Sequence, residues 1–288
     1  MTAALRRRGL DWLLNVYGLM ALVYLLVPIA VIIVFSFNDP VGRFNFIWNE
    51  FSLDAWKHPF AVQGVGDALK TSLEIAAVST VIATALGTLT ALALVRYEFK
   101  GRSPVNFFIF IPLATPEVVL GAALLSQFLN WGTPALGFAT ILIAHVMFNL
   151  SFVVITVRSR LIGFDRSLEE AAQDLGATPW ETFRLVTLPL IMPGVVSAAL
   201  LAFALSIDDF VITNFNSGST ITFPLFIWGA ARVAIPPQIY VVATMIFLFT
   251  VAVMILTVWQ QRRAEKMAAV RPDAPDASDA PLAEPAPA

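Results

Sequence analysis

The sequence predicts an all-α transmembrane fold of six spans with both termini in the cytoplasm, and three observations predict it. The chain has 288 residues, is 58% hydrophobic and has a mean hydropathy of +0.78, which is too apolar for a water-soluble domain. Six apolar runs are each long enough, at about 1.5 Å per helical residue, to cross a hydrocarbon layer roughly 30 Å thick. Lys and Arg are distributed unevenly over the segments between those runs.

The first run, Trp12 to Phe35, follows Arg6, Arg7 and Arg8. A basic cluster before an apolar stretch is also the pattern of a cleaved signal peptide, but this run exceeds about twenty residues and lacks a small-residue cleavage site, so a retained first span is expected. The second runs from Thr71 to Val95 and the third from Val105 to Leu129. Pro112 and Pro116 remove backbone donors inside the third, so it is expected to kink or unwind there. The fourth covers Ala135 to Val157, the fifth Leu190 to Thr213 and the sixth Ile239 to Trp259. Residues 1–267 are read as the membrane domain. Residues 268–288 are rich in Ala, Pro and Asp without apolar periodicity and read as a disordered cytoplasmic tail.

Arg6, Arg7, Arg8, Arg96, Lys100, Arg102, Arg158, Arg160, Arg166, Arg184, Arg262, Arg263, Lys266 and Arg271 fall on one side of this arrangement. Only Arg43, Lys57, Lys70 and Arg232 fall on the other. Positive residues mark the cytoplasmic side, which places both termini and the loop between the fourth and fifth spans there.

The chain has no cysteine, which excludes disulfides and thiolate metal sites, and only two histidines, His58 and His145. It contains no phosphate-binding Gly-x-x-x-x-Gly-Lys-Ser/Thr, no His-Glu-x-x-His and no Gly-x-Ser-x-Gly sequence. No enzymatic role, bound metal or cofactor is expected of this chain, and any ATP chemistry belongs to another subunit.

The loop of residues 165–189 is polar and rich in helix-capping signals. Ser167 with Glu170 has capping-box spacing; Leu168, Ala171, Ala172 and Leu175 recur at helical intervals; Gly176 supplies a C-terminal stop. Thr178, Pro179 and Glu181 then offer an N-cap, a first-turn proline and a reciprocal cap. Two short helices joined at a glycine are expected. Their small residues, Ala171, Ala172, Gly176 and Ala177, would let another protein approach closely; the other reading is that the loop packs on its own bundle.

The order Glu170-Ala171-Ala172, then Gly176, then Val186-Thr187-Leu188-Pro189 resembles the conserved cytoplasmic loop of bacterial ABC importer permeases, with Val186 standing where that pattern has Ile. The resemblance implies the six-span type I permease fold in a bacterial cell membrane. It also implies that Glu170, Ala171, Ala172, Gly176 and Ala177 couple the chain to a dimer of ABC ATPases, which would bind and hydrolyse ATP-Mg. A second, homologous permease subunit and an extracytoplasmic solute-binding protein are the further implied partners. Membrane lipid surrounds the spans, and no nucleic acid is expected.

Ionisable groups inside apolar spans are costly and mark candidate sites. Asp208 and Asp209 lie in Ser206-Ile207-Asp208-Asp209-Phe210, about 22 Å along the fifth span from Pro193. Adjacent helical residues point about 100° apart. Asp209 shares a face with Ser206 and Thr213 and is expected to face a watery pathway, while Asp208 is expected at a helix or subunit contact. The alternative is that both satisfy helix ends or Arg232. Glu117 follows the two prolines near mid-membrane, where a broken helix beside a carboxylate suits either a transport site or a hinge. His145 and Asn149, one turn apart on the fourth span, suit interhelical hydrogen bonds more than a proton relay. Glu74 can reach the membrane interface.

Beyond the loop, Phe35-Ser36-Phe37-Asn38, Phe51-Ser52-Leu53 with Trp56, Ser206 to Ile212, Pro224-Leu225 and Arg232-Val233 resemble the spermidine/putrescine branch of these permeases. The resemblance implies inward transport of a polyamine by alternating access, with Glu117, Ser206, Asp208 and Asp209 on the pathway. Carboxylates beside aromatic faces suit a polycation. Arg and Lys are absent from the spans, which argues against anionic solutes. Sugars, opines and iron remain as other solutes, and a proton-coupled secondary transporter using Glu117, Asp209 and His145 as the other mechanism.

Overall fold

A computed structural model describes residues 2–132, 135–163 and 165–269. Most of the tail lies outside these residues. The chain divides into two compact units, one formed by the segments before Phe60 and after Ile235, the other by residues 60–235.

In the first unit, α1 (Thr2–Phe35) is followed by a two-stranded antiparallel hairpin, β1 (Asn38–Asp39) and β2 (Glu50–Phe51), and a short helix α2 (Asp54–Lys57); α12 (Pro237–Ala269) closes it. Along Trp12–Phe35 most apolar side chains point outward, the surface that lipid would cover. The hairpin is clasped by asparagines. Buried Asn38 donates through Nδ2 to Asn45 Oδ1 at 2.6 Å and to the Ile47 carbonyl at 2.8 Å, while its own Oδ1 accepts from Asn49 N–H at 2.8 Å. Phe37 stacks between Phe51 and Trp56, at ring-centroid distances of 5.8 and 5.2 Å, and Trp56 Nε1 donates to Ser36 Oγ. The motifs Phe35-Ser36-Phe37-Asn38, Phe51-Ser52-Leu53 and Trp56 thus form one aromatic and amide clasp.

The second unit is built on α3 (Val65–Arg96), α6 (Phe138–Ile162) and α9 (Leu188–Asp208), which pack on one another through small and β-branched residues, among them Ala83, Ala91, Val153, Val157, Ala198 and Ala202. Close approach of helices needs such residues. Gly87 shows how close it is: a Cβ there would sit 2.5 Å from Val153 Cγ1. A second apolar cluster, including Leu120, Leu124, Phe148 and Ile212, joins α5 (Glu117–Asn130) and α10 (Val211–Asn216) to α6. The helix α11 (Phe223–Val233) is fixed to α3 by a bond from Phe223 N–H to Ser72 Oγ at 2.8 Å.

Among the described residues, five helices are long and apolar enough to cross a membrane, six when the bent pair α4 (Arg102–Ala114) and α5 is taken as one. The expected kink in the third span is a break with a 113° bend. It falls at Thr115, whose extended backbone is the conformation that a following proline favours. Both boundaries of the fifth span also differ from expectation. The helix that carries the fifth span begins at Pro179, ahead of the apolar stretch, and it ends at Asp208 rather than continuing to Thr213.

Candidate functional site

The loop consists of α7 (Ser167–Asp174), α8 (Pro179–Thr182) and a π-helical segment, Phe183–Thr187, that leads into α9. The expected capping box of Ser167 with Glu170 does not form. Asp165 takes its place, its carboxylate accepting from Ser167 N–H at 2.9 Å, so that Ser167 becomes the first helical residue and Arg166 the cap. Hydrogen bonding from Ser167, chiefly its backbone N–H, holds the Asp165 carboxyl below the usual carboxylate range.

The other end of α7 follows the expectation. Gly176 has φ +89°, Ala177 N–H bonds the Ala172 carbonyl and Gly176 N–H bonds the Gln173 carbonyl, which is the Schellman arrangement. Thr178 then caps α8. Its Oγ1 accepts from Glu181 N–H, and Glu181 Oε2 accepts from Thr178 N–H at 2.8 Å, with Pro179 in the first turn. The second helix of the loop is a single turn, continued by the π-helical segment rather than free.

None of α7 is buried. Glu170, Ala171 and Gly176 are exposed, Ala172 and Ala177 half-buried, and Leu175 and Trp180 stand 91% and 66% exposed. This is an outward surface with apolar and small residues together. The carboxylate that binds the loop to its own bundle is a different one, Glu169. Its Oε1 accepts from Arg96 Nη2 at 2.6 Å and from Thr187 Oγ1. Residue spacing did not reveal it, because Glu169 and Glu170 are neighbours and only the contacts of Glu169 with Arg96 of α3 and Thr187 of the π-helical segment separate their roles.

Within the spans, the structure gathers part of the predicted set around His145. Nε2 of His145 lies 2.9 Å from Thr213 Oγ1 and 3.3 Å from Asp209 Oδ2, and Nδ1 lies 2.7 Å from Ser206 Oγ. Thr213 donates both N–H and hydroxyl to Asp209 Oδ2, at 2.8 and 2.7 Å. With the Thr213 proton on Asp209, the threonine oxygen accepts from His145 Nε2–H. Nδ1 faces Ser206, whose oxygen lies 3.0 Å from Ser79 Oγ. The result is one hydrogen-bonded chain across α3, α6, α9 and α10, with every member buried. Interhelical bonding by His145 is as expected; Asn149 differs, being fully buried with its amide unpartnered among the described residues.

The expectation that Asp209 faces an open, watery pathway is not met in this structure. Asp209 does share a face with Ser206 and Thr213, but that face is closed by His145, and the Asp209 side chain is 6% exposed. Asp208 is exposed. The reason is packing from another helix: His145 of α6 lies against the face that Asp209 shares with Ser206 and Thr213, and the Asp209 carboxylate also accepts the Thr213 N–H in the first turn of α10. Glu117 is exposed in the first turn of α5. Glu74 pairs with Lys70 at 3.8 Å on the surface.

A groove of about 500 Å³ runs beside this chain between α3 and α9, lined by Thr80, Thr84, Thr88, Phe183, Val195 and Ala199. The hydroxyls of Thr80, Thr84 and Thr88 are buried and unpartnered among the described residues. A threonine at every fourth position of an apolar helix was the available signal for it.

Residues 83–266 match the family described as binding-protein-dependent transport system inner membrane component. The chain belongs to that family. It is therefore the membrane component of a multi-part transport system and not its ATPase. The spermidine/putrescine transport system permease protein PotC of Haemophilus influenzae is 36% identical to this permease over 247 residues, which cover 85% of the chain and 95% of that protein. The putrescine transport system permease protein PotI of Escherichia coli K12 is 38% identical over 256 residues, covering 86% and 90%. Among solved structures, a bacterial ABC transporter involved in the import of alginate aligns with TM-score 0.65 at 18% identity, covering 88% of the permease and 96% of that chain. The MetNI methionine ABC transporter aligns with TM-score 0.52 at 19% identity, covering 70% and 94%. Both show that the fold is the one used by ABC transporter permeases.

Proposed function

We propose that this permease carries polyamines such as spermidine and putrescine inward as one subunit of an ATP-driven ABC importer. The observation that carries the reading is identity of 36% and 38% to permeases named for those solutes, each match spanning nine-tenths or more of the relative. The chemistry of the spans supports it: Asp208 and Glu117 are exposed carboxylates placed to attract a cation, with Ser206 and Asp209 behind them in the His145 chain.

In this reading both termini and the loop of residues 165–189 face the cytoplasm. Glu170, Ala171, Ala172, Gly176 and Ala177 meet one copy of an ATPase dimer that uses ATP-Mg, a second permease completes the pathway, and a binding protein delivers solute from outside. Transport requires that the ATPase states differ in their free energy of association with the two permease states.

The test is uptake of labelled spermidine and putrescine in cells with and without this chain, in a strain lacking other polyamine systems. Loss of a saturable uptake that excess unlabelled polyamine competes supports the reading. Unchanged uptake overturns the solute.

A further inference from the structure

One oxygen atom ties the exposed helix α7 to two membrane spans at once, and we infer that this tie, Arg96–Glu169–Thr187, transmits movement of the loop into α3 and α9. The inference rests on the proposed docking of the loop on an ATPase subunit and concerns what happens after contact.

Arg96 is the last residue of α3, and Thr187 is the last residue before α9. Both donate to Glu169 Oε1, and Arg166 Nη2 adds a bond to the Val95 carbonyl at 3.1 Å. Arg96 and Glu169 are only 15% and 17% exposed, and Thr187 is buried. A charge-assisted bond in that setting is stronger and less screened by salt than a surface pair.

The backbone alone transmits force poorly at this place. On one side α7 is joined to α8 through Leu175–Thr178, a turn that contains the left-handed Gly176. Beyond α8 the chain passes through the π-helical segment, a less regular geometry that often marks functional positions. Displacement of α7 would be taken up in those two places. The Glu169–Thr187 bond bypasses both, because it attaches at the far end of the π-helical segment, next to Leu188. The Glu169–Arg96 bond reaches α3 directly. Since α3 and α9 are packed together along Ala83, Ala91, Ala198 and Ala202, moving both ends together moves the pair as one body. Glu169 is thus a positioning residue that acts through Arg96 and Thr187.

The experiment uses the whole transporter, purified through this chain and reconstituted in vesicles of bacterial lipid, with labelled spermidine counted against ATP hydrolysed. Glu169→Ala is expected to retain the ATPase subunit and to hydrolyse ATP, while spermidine moved per ATP falls about fivefold or more. The exchange Arg96→Glu with Glu169→Arg is expected to recover most of that ratio. An unchanged ratio in Glu169→Ala overturns the link, and so does loss of the ATPase subunit, which would make Glu169 part of the docking surface. Should Glu169→Ala not assemble, the exchanged pair decides: recovery of the ratio supports the link and failure to recover it overturns it. Failure of the docking reading looks different, because the unaltered chain would then not retain an ATPase subunit at all.

Discussion

Nε2 of His145 lies 3.3 Å from Oδ2 of Asp209 at the point where the fifth span breaks, so a residue of α6 holds the carboxylate that ends α9 and caps α10. Its neighbour Asp208 is exposed. Two adjacent aspartates with different surroundings should respond differently to substitution. Asp209→Ala strands the Thr213 donors and His145 inside the bundle and is expected to destabilise by about 1–3 kcal/mol, read as a lowered midpoint of thermal unfolding in detergent. Asp208→Asn is expected to leave that midpoint nearly unchanged, within about 0.5 kcal/mol, and to raise the KM for polyamine uptake. Equal thermal shifts in the two variants would contradict the assignment.

Gly176 separates backbone strain from steric access. With φ +89° and nothing within 4 Å of where a Cβ would be, the chain itself tolerates any side chain there at the strain of a left-handed residue, about 1–2 kcal/mol. Asn adopts that conformation more readily than Ala. Gly176→Asn and Gly176→Trp should therefore leave the purified chain folded, while Trp alone abolishes retention of the ATPase subunit in affinity purification.

The cap at Thr178 gives a pH signature. The N–H and then the hydroxyl of Thr178 donate to Glu181 and hold its carboxyl below its ordinary value of 4.5. A carboxylate with a lowered folded value contributes stability that is complete above the unfolded pKa and is lost as pH falls through the folded one. Hydrogen-exchange protection of the segment 178–187 is expected to hold down to about pH 4.5 and to decline below it. Glu181→Gln should remove that dependence.

Gly87 tests the packing of the bundle. Its missing Cβ leaves room for Val153 Cγ1, which would otherwise be 2.5 Å away, and Val153 is β-branched and has few rotamers with which to yield. Gly87→Ala is expected to destabilise by about 1–3 kcal/mol and the added change Val153→Ala to recover part of it. Thermal unfolding of the single and double variants measures both.

The membrane-spanning helices were legible because lipid makes hydrophobicity nearly sufficient to locate them, and Gly176, Thr178 and Glu181 were legible because capping is local chemistry. What spacing misjudged depended on contacts made at a distance or on competition between neighbours. Asp165 displaced Ser167 as the acceptor at the start of α7. The face that Asp209 shares with Ser206 and Thr213 is closed by His145 of another helix, which a helical wheel of the fifth span does not include. Glu169 could not be told from Glu170 until Arg96, 73 residues away, was beside it. The clasp of Phe37, Phe51 and Trp56 shows the opposite case: residues that carried a resemblance as scattered motifs proved to be a single packed group.

ATP-driven polyamine import is tested most directly by labelled spermidine uptake into vesicles holding the reconstituted transporter, with ATP inside, the binding protein outside and a protonophore present. The account predicts uptake that requires both ATP and the binding protein, is indifferent to the protonophore and falls with Asp208→Asn. Uptake that proceeds without ATP and collapses with the proton gradient would contradict it, and would make the chain of His145 and Asp209 a proton path instead of a brace.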